Sequence, residues 1–515
     1  MPVAAIFPAN SSPQPARFFA ASPRATLAAV ILIFLAGLGV RLYQLKDPPL
    51  EFHAERQLHS MFIARGLYYQ QAGSPEDWKR SMAIEQYRSE GLIEPQITET
   101  VVAILYRLVG QVDLRIPRLL SILFWSLGGL GIFFLARDLT DANGAVVAFA
   151  FYMTNAFGVM VSRSFMPEPL LMAALIWAWW AMVHWYRQQD WRRAILAGLL
   201  SGFAILVKAT AVFFIGAAWL GLLLFGVGLR KALTSRQVWL MALLTVLPYG
   251  IYHLYGVVIS GQMTSQFSLR FFPGMWREPA SYFEWYKMIR SVVRFEWLIV
   301  AILGIFLLRD RFSRGMLLGV LAGYGLYGMV FIYYTTTHDY YHLPLIPLVA
   351  IGLGSVMGVL AGHIHLGPRW SEVVFVGILL VPSLANLADA MMELRSRDFY
   401  ADVALAEEVG ALFTPEDKVV ALAPYYCGTL RYWGWVNATN WMSTQDFALR
   451  QLAGQNFDMQ DLFNQSTMGM DTFLVMNFDE LNNQPELKKL LEEGYTVVAR
   501  TNDYVLYDLH QPLSR

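Results

Sequence analysis

Eleven stretches of the chain are apolar almost without interruption, at approximately residues 26–45, 117–136, 143–161, 167–186, 194–207, 209–228, 238–258, 295–308, 315–334, 343–361 and 371–388. A bilayer's hydrocarbon core is about 30 Å thick and takes roughly 20 apolar helical residues to cross, so these runs predict about eleven membrane-spanning helices. The fifth and eighth are short; they borrow flanking residues or are partly re-entrant. Residues 46–116, between the first two runs, are too long for a simple connector. Val101, Ile104, Leu105 and Leu108 recur there at three- and four-residue spacing, which predicts a helix over Ile97–Leu108. Leu58, Met61, Phe62, Arg65 and Tyr69 predict a second helix, amphipathic and lying along the membrane interface. After about residue 395 the pattern changes. Short strands are expected at Lys418–Ala423, Thr472–Met476, Tyr495–Arg500 and Tyr504–Asp508, with a helix over Glu480–Glu493, so residues 395–515 read as a small soluble α/β domain.

Composition supports a polytopic α-helical membrane protein. The 515 residues are 56% hydrophobic and 15% charged, an apolar surplus beyond what one soluble core needs. The net charge is zero, so nothing points to nucleic acid, and the single cysteine, Cys427, excludes an internal disulfide. Basic residues collect on alternate connections: Arg187, Arg192 and Arg193; Arg230, Lys231 and Arg236; Arg309, Arg311 and Arg314; and Arg369. Because short cytoplasmic loops retain positive charge, the N-terminal tail, residues 1–25, is assigned to the cytoplasm. Residues 26–394 then form the membrane domain. Its long loops 46–116 and 259–294, the turns 162–166 and 335–342, and the soluble domain fall on the opposite, outer side. No small-residue cleavage site follows the first apolar run, which is read as a retained anchor.

The outer side also collects the chemistry. Pro48-Pro49-Leu50-Glu51-Phe52-His53-Ala54-Glu55-Arg56-Gln57 crowds two carboxylates, an imidazole and a guanidinium where the first helix leaves the bilayer. Glu94 precedes the loop helix, Arg163 and Glu168 flank the turn between the third and fourth runs, and Lys208 interrupts an apolar run. Each has a bland reading: Glu168 as a helix cap, Lys208 as a snorkelling side chain, the cations as partners of nearby acids. Aromatic and basic residues mix in loop 259–294, including Arg270, Trp276, Tyr286 and Arg290, which suits an interfacial segment or a lid. Gathered at the edge of a helical bundle, such groups suit a reactant with an apolar tail and a polar head, of which a sugar on a polyprenyl phosphate is the obvious example. The protein would position the acceptor hydroxyl, remove its proton with a carboxylate and stabilise the departing phosphate.

In this layout, and in the ordered words Phe52-His53-Ala54-Glu55-Arg56-Gln57, Arg118-Leu119-Leu120-Ser121, Ser162-Arg163 with Met166-Pro167-Glu168, and Tyr340-Tyr341-His342-Leu343-Pro344, the chain resembles the GT-C glycosyltransferases. It is similar in particular to the protein O-mannosyltransferases and the lipid A aminoarabinose transferases over about its first 360 residues. The resemblance implies an enzyme of a bacterial inner membrane that moves a sugar from a polyprenyl-phosphate donor to a protein, lipid or glycan acceptor, with inversion. It also implies an acidic base in the first outer loop, commonly within an Asp-Glu pair. This chain departs from that pair, having Glu51 and Glu55 with three residues between them. Glu51, nearest the helix exit, is the first choice, Glu55 the second, and Glu94 or Glu168 the remainder, with His53 beside them. Lys208 and Arg163, with Arg56 in reserve, are expected to hold the phosphate, and Tyr340 and Tyr341 to lie in the substrate site. A divalent metal, magnesium or manganese, on His338, Asp339 and His342 is the alternative way to neutralise the phosphate. Two other function classes stay open: a lipid-linked-sugar transporter or flippase, and a membrane scaffold whose working part is the soluble domain.

Overall fold

The computed structural model describes residues 17–512 apart from 74–75, 92, 260, 262–268 and 365–367. Most of the expected tail 1–25, Leu92 in the turn before Glu94, residues 260 and 262–268 near the start of loop 259–294 and the last three residues lie outside the described residues. Every apolar run is helical. The helices are Pro23–Arg41, Arg115–Leu139, Ala142–Thr154 with Ala156–Arg163, Glu168–Gln188, Trp191–Val207, Ala211–Leu222, Arg236–Leu254, Phe295–Leu307, Arg311–Val330, Leu345–His363 and Pro368–Arg395. Among the described residues five are long and apolar enough to cross a membrane, or six if the pair broken at Asn155 and bent by 59° counts as one span. The chain is an integral membrane protein with a helical bundle.

The short helix Phe295–Leu307 has 13 residues, and at about 1.5 Å per residue it falls well below the bilayer thickness. Small residues fix it in place: a Cβ on Gly304 would stand 2.0 Å from the Gly352 carbonyl oxygen, so this helix and Leu345–His363 touch backbone to backbone. The break at Asn155 has a local cause. Its side-chain oxygen accepts from the Gly158 amide at 2.7 Å and restarts the helix, while its amide nitrogen donates to the Val292 carbonyl at 3.1 Å.

Residues 46–116 carry three helices, Ala54–Tyr69, Asp77–Ser89 and Ile97–Val109, the last where periodicity predicts it. The first departs from expectation: it is buried on nearly all sides instead of lying along an interface. Its polar residues find partners inside the protein. Arg65, 3% exposed, donates to the Tyr432 carbonyl and to Gln86 Oε1, both at 2.6 Å, and its guanidinium lies 3.8 and 4.1 Å from the ring centroids of Tyr432 and Trp435. Gly428 presses on the same helix, where a Cβ would meet Leu58 Cδ1 at 2.5 Å.

Tyr432 and Gly428 belong to the C-terminal domain, so these contacts dock that domain onto the loop. Its five strands are β1 (Val419–Leu422), β2 (Ala438–Asn440), β3 (Thr472–Val475), β4 (Tyr495–Arg500) and β5 (Val505–Pro512). They lie in the order β2-β1-β3-β5-β4, parallel from β2 to β3 and antiparallel beyond. The expected helix Glu480–Glu493 is two helices, Phe478–Asn482 and Pro485–Gly494, because Pro485 cannot continue the preceding turn. The three-residue strand β2 is an addition.

Arg65→Ala removes two charge-assisted hydrogen bonds and two ring contacts, a loss of about 3 kcal/mol at the docking surface. Amide hydrogen exchange in Gly428–Tyr432 is expected to quicken by about a hundredfold, while exchange in β1 and β3 stays unchanged.

Candidate active site

Helix Pro23–Arg41 delivers the chain into a loop that buried arginines hold from beneath. Arg118 Nη2 donates to both oxygens of Glu51, at 2.7 and 2.8 Å, and Arg163 Nε reaches Glu51 Oε1 at 3.4 Å. The two guanidinium side chains are 1% exposed and the carboxylate 9%. Arg163 also donates to the carbonyls of Arg41 and Tyr43, and Arg118 to that of Gln44. Arg163 was expected to hold a phosphate. In this structure its donors go to Glu51 and the loop backbone.

His53 follows in the left-handed region, at φ 43°, a conformation costly for a residue with a Cβ and one that marks functional turns. The turn aims its ring between two acids. Nε2 lies 2.7 Å from Asp339 Oδ1, and Nδ1 3.4 Å from Glu55 Oε1. With a carboxylate on each nitrogen, both nitrogens donate and the ring is an imidazolium. Burial works against that charge, yet the hydrogen bonds to Asp339 and Glu55 outweigh it and raise the pKa to about 9. The same charge depresses Glu55 against the opposing pull of burial. His338 stacks beside His53 at 6.2 Å between centroids; burial first, and the neighbouring cation second, lower it to about 4. The two carboxylates thus favour a charged His53, and burial a neutral His338.

A second cluster lies one helical turn further on. Arg56 Nη2 donates to both oxygens of Glu94 at 3.1 and 3.0 Å, and Lys208 Nζ is 3.6 Å from Glu94 and paired with Glu168. Burial would raise Glu94, but the Arg56 and Lys208 charges prevail and bring it down to about 2. Lys208 also sits 5.2 and 5.7 Å from the ring centroids of Tyr340 and Tyr341, and Tyr340 meets His53 edge to face at 4.7 Å. Arg270 adds a third cation, whose charge reaches the Tyr334 and Tyr341 hydroxyls. Glu168, 1% exposed, serves neither as a simple cap nor as a surface group; it fixes Lys208.

His342 does not join either cluster. Its Nε2 donates to the Thr335 carbonyl at 2.8 Å and its Nδ1 accepts from Tyr324 Oη, which in turn accepts from Trp285 Nε1 at 2.7 Å. With both nitrogens engaged, His342 is withdrawn from the expected metal set of His338, Asp339 and His342. Among the described residues no three His, Cys, Asp or Glu side chains are grouped to hold a metal ion.

On the far side of Glu51 lies a cavity of about 380 Å³, bordered by Glu51, Phe52, Asn155, Arg294, Asp339 and the Asn386–Glu393 face of helix Pro368–Arg395. Asn155 and Arg294 have no place in the sequence reading, and Arg118 enters it only within Arg118-Leu119-Leu120-Ser121, without a role. A guanidinium four residues into an apolar helix was a readable signal for Arg118. Arg294 had none, since its place depends on the helix break that it forms.

A helical bundle in which one end carries a loop-borne carboxylate, buried cations and a docked α/β domain defines a membrane protein of the GT-C glycosyltransferase fold. Residues 94–255 match the family described as dolichyl-phosphate-mannose-protein mannosyltransferase, a stretch that includes Glu94, Arg118, Arg163, Glu168 and Lys208. The structure is similar to ArnT from Cupriavidus metallidurans bound to undecaprenyl phosphate, with a TM-score of 0.55 and 16% identity over 94% of this chain and 97% of that one. It is also similar to the Archaeoglobus fulgidus oligosaccharyltransferase solved with Zn and sulfate, with a TM-score of 0.54, 11% identity and coverage of 94% and 74%. The AglB oligosaccharyltransferase of the same organism, solved with an inhibitory peptide and a dolichol-phosphate, gives a TM-score of 0.51 at 9% identity, covering 95% and 74%. No curated protein matches the chain by sequence.

His53 gains its proton affinity on folding, so its contribution to stability is complete below its ordinary pKa near 6.5 and is lost as pH rises through about 9. Thermal melting is expected to show Tm falling across that window, and His53→Gln to remove the step.

Proposed function

We propose that the protein transfers a sugar from a polyprenyl-phosphate donor to an acceptor hydroxyl, with Glu51 as the general base and with inversion at the anomeric carbon. The observation that carries this reading is the placement of Glu51: a carboxylate kept between two buried arginines, bordering an open cavity, five residues from the basic cluster of Arg56 and Lys208. Undecaprenyl phosphate in ArnT and dolichol-phosphate in AglB support a lipid-phosphate donor. The basic residues on alternate connections support an active end that faces away from the cytoplasm, with the N-terminus inside and the enzyme in a bacterial inner membrane.

Each group then has a task. Arg56 and Lys208 receive the donor phosphate, with Arg270 completing the positive field and Tyr340 and Tyr341 lining its approach. Glu94 and Glu168 hold those two cations in place before the donor arrives. Glu51 takes the proton of the acceptor hydroxyl as its oxygen attacks the anomeric carbon, and the phosphate oxygen leaves with the bonding pair. The imidazolium of His53, fixed by Asp339 and Glu55, is a positioning group that sets the loop geometry. The arginines match the Glu51 charge in a buried setting, where the cost of an unpaired carboxylate would be several kcal/mol.

In purified protein supplied with a polyprenyl-phosphate sugar and its acceptor, Glu51→Gln is expected to lower kcat by about 10³-fold with the donor KM little changed. Lys208→Ala is expected to raise the donor KM by roughly tenfold or more. Loss of turnover in Glu55→Gln with full turnover in Glu51→Gln would move the base to Glu55.

A further inference from the structure

His342 has no task in the transfer described above, although it directly follows the Tyr340–Tyr341 pair and is 0% exposed. A ring buried so completely is stable only if both nitrogens are hydrogen-bonded. Its partners fix the direction of every bond, because an indole nitrogen can only donate and a carbonyl oxygen can only accept. Trp285 Nε1 donates to Tyr324 Oη at 2.7 Å, Tyr324 Oη donates to His342 Nδ1 at 2.5 Å, and His342 Nε2 donates to the Thr335 carbonyl at 2.8 Å. The ring hydrogen therefore sits on Nε2, and the chain of bonds runs one way from Trp285 to Thr335.

Four elements are joined in this way. Trp285 comes from helix Pro279–Val293, Tyr324 from Arg311–Val330 and Thr335 from Ile332–Thr337, while His342 closes the tight turn Asp339–His342. The Thr335 carbonyl lies in a last helical turn, where carbonyls find no partner within the helix, and the imidazole supplies one. Trp285 is seated by close packing: a Cβ on Gly328 would stand 2.0 Å from its indole ring. The turn tied down at His342 carries Asp339, which holds His53, and then Tyr340 and Tyr341, whose ring centroids lie 5.2 and 5.7 Å from Lys208 Nζ. Tyr341 is stacked between Tyr327 and Tyr334, at 5.6 Å from each and with planes 12° and 14° from parallel. Tyr327 and Tyr324 are three residues apart and share a helix face, so one face of helix Arg311–Val330 sets both the stack on Tyr341 and the hydrogen bond to His342.

We propose that Trp285, Tyr324 and His342 are positioning residues for the donor phosphate, a buried brace that sets Tyr340 and Tyr341 against Lys208 without touching the donor. The proposal rests on the transferase reading above and adds to it three groups outside the site itself. Stacking fixes the plane of the Tyr341 ring but leaves it free to slide, since offset arrangements of two rings are all favourable. Hydrogen bonds are short and directional, so those of the next residue fix where along the stack the ring rests. Loss of the Tyr324 hydroxyl leaves Nδ1 of His342 buried without a donor, and the ring then gains by turning away and drawing the Tyr340–Tyr341 pair from Lys208.

The test compares variants of the full chain in detergent, with undecaprenyl phosphate as the probe and its Kd read by native mass spectrometry. Tyr324→Phe keeps the ring and removes the hydroxyl; its Kd is expected to rise about fivefold. Trp285→Phe removes only the first donor, and a rise of about twofold is expected. Val320→Ala, at a buried position one turn earlier on the helix of Tyr324, is the control for general loosening: Tm falls at least as far and Kd is unchanged. With a polyprenyl-phosphate hexose as substrate, the donor KM is expected to follow Kd in both brace variants while kcat stays within about twofold. A Kd in Tyr324→Phe equal to that of the unaltered chain, or one in Val320→Ala that rises as far, would overturn the proposal and leave the transferase reading intact. So would a kcat that falls in the brace variants with donor KM unchanged. An unaltered chain that binds undecaprenyl phosphate and transfers nothing would overturn the transferase reading, with the brace still decided by the Kd values; one that does not bind it would overturn both.

Discussion

Charge taken out of water has to be matched, and the active end of this protein is built around that requirement. A buried carboxylate with one partner removed costs roughly 3–5 kcal/mol, so the acids and bases of this region constrain one another's positions. Glu51 is matched by Arg118 and Arg163, which come from different helices of the bundle. Glu94 and Glu168 are matched by Arg56 and Lys208, and His53 by Glu55 and Asp339. These pairs tie the first loop to the helices that start at Arg115 and Glu168 and to the turn at Asp339. The loop cannot shift without uncovering a charge.

That network also divides the active end into two sides. The short segment from Glu51 to Arg56 has the carboxylate bordering the cavity at one end and a cation on the Glu94 cluster at the other. The left-handed turn at His53 is what reverses the chain between them. Strain there is offset by the imidazolium's two carboxylate partners, one of them 286 residues away in sequence. Helix breaks at Asn155 and Arg294 supply the opposite wall, so the bundle spends its irregular backbone where a cavity needs lining. The C-terminal domain, docked through Arg65, covers the helix that begins at Ala54 and so stiffens the loop from above.

Local signals made the architecture readable. Each apolar run is a helix, and the spacing of Val101, Ile104 and Leu108 found the loop helix, because both depend on residues near in sequence. Glu51, Arg56, Glu94, Arg163, Glu168 and Lys208 were noticed because ionisable groups beside apolar runs are conspicuous. Their pairings were not legible. Nothing near Glu51 says that Arg118 pairs with it, and nothing in the 338–342 turn says that Asp339 faces His53 while His342 turns inward to Tyr324. The interfacial placement of Ala54–Tyr69 failed for the same reason: its polar residues looked solvated until Tyr432 and Gln86 were brought to Arg65. The three residues of β2 are too few to carry a pattern, whereas the break at Pro485 was there to be read.

The central claim is that the donor's phosphate is held on the Arg56 and Lys208 side of the Glu51–His53 turn, away from the cavity that Glu51 borders. Cryo-electron microscopy of the protein with undecaprenyl phosphate tests it most directly. The account predicts phosphate density within hydrogen-bonding reach of Arg56 and Lys208, with the cavity bordered by Asn155 and Arg294 free of it. Phosphate seated against Arg294 in that cavity would contradict the account.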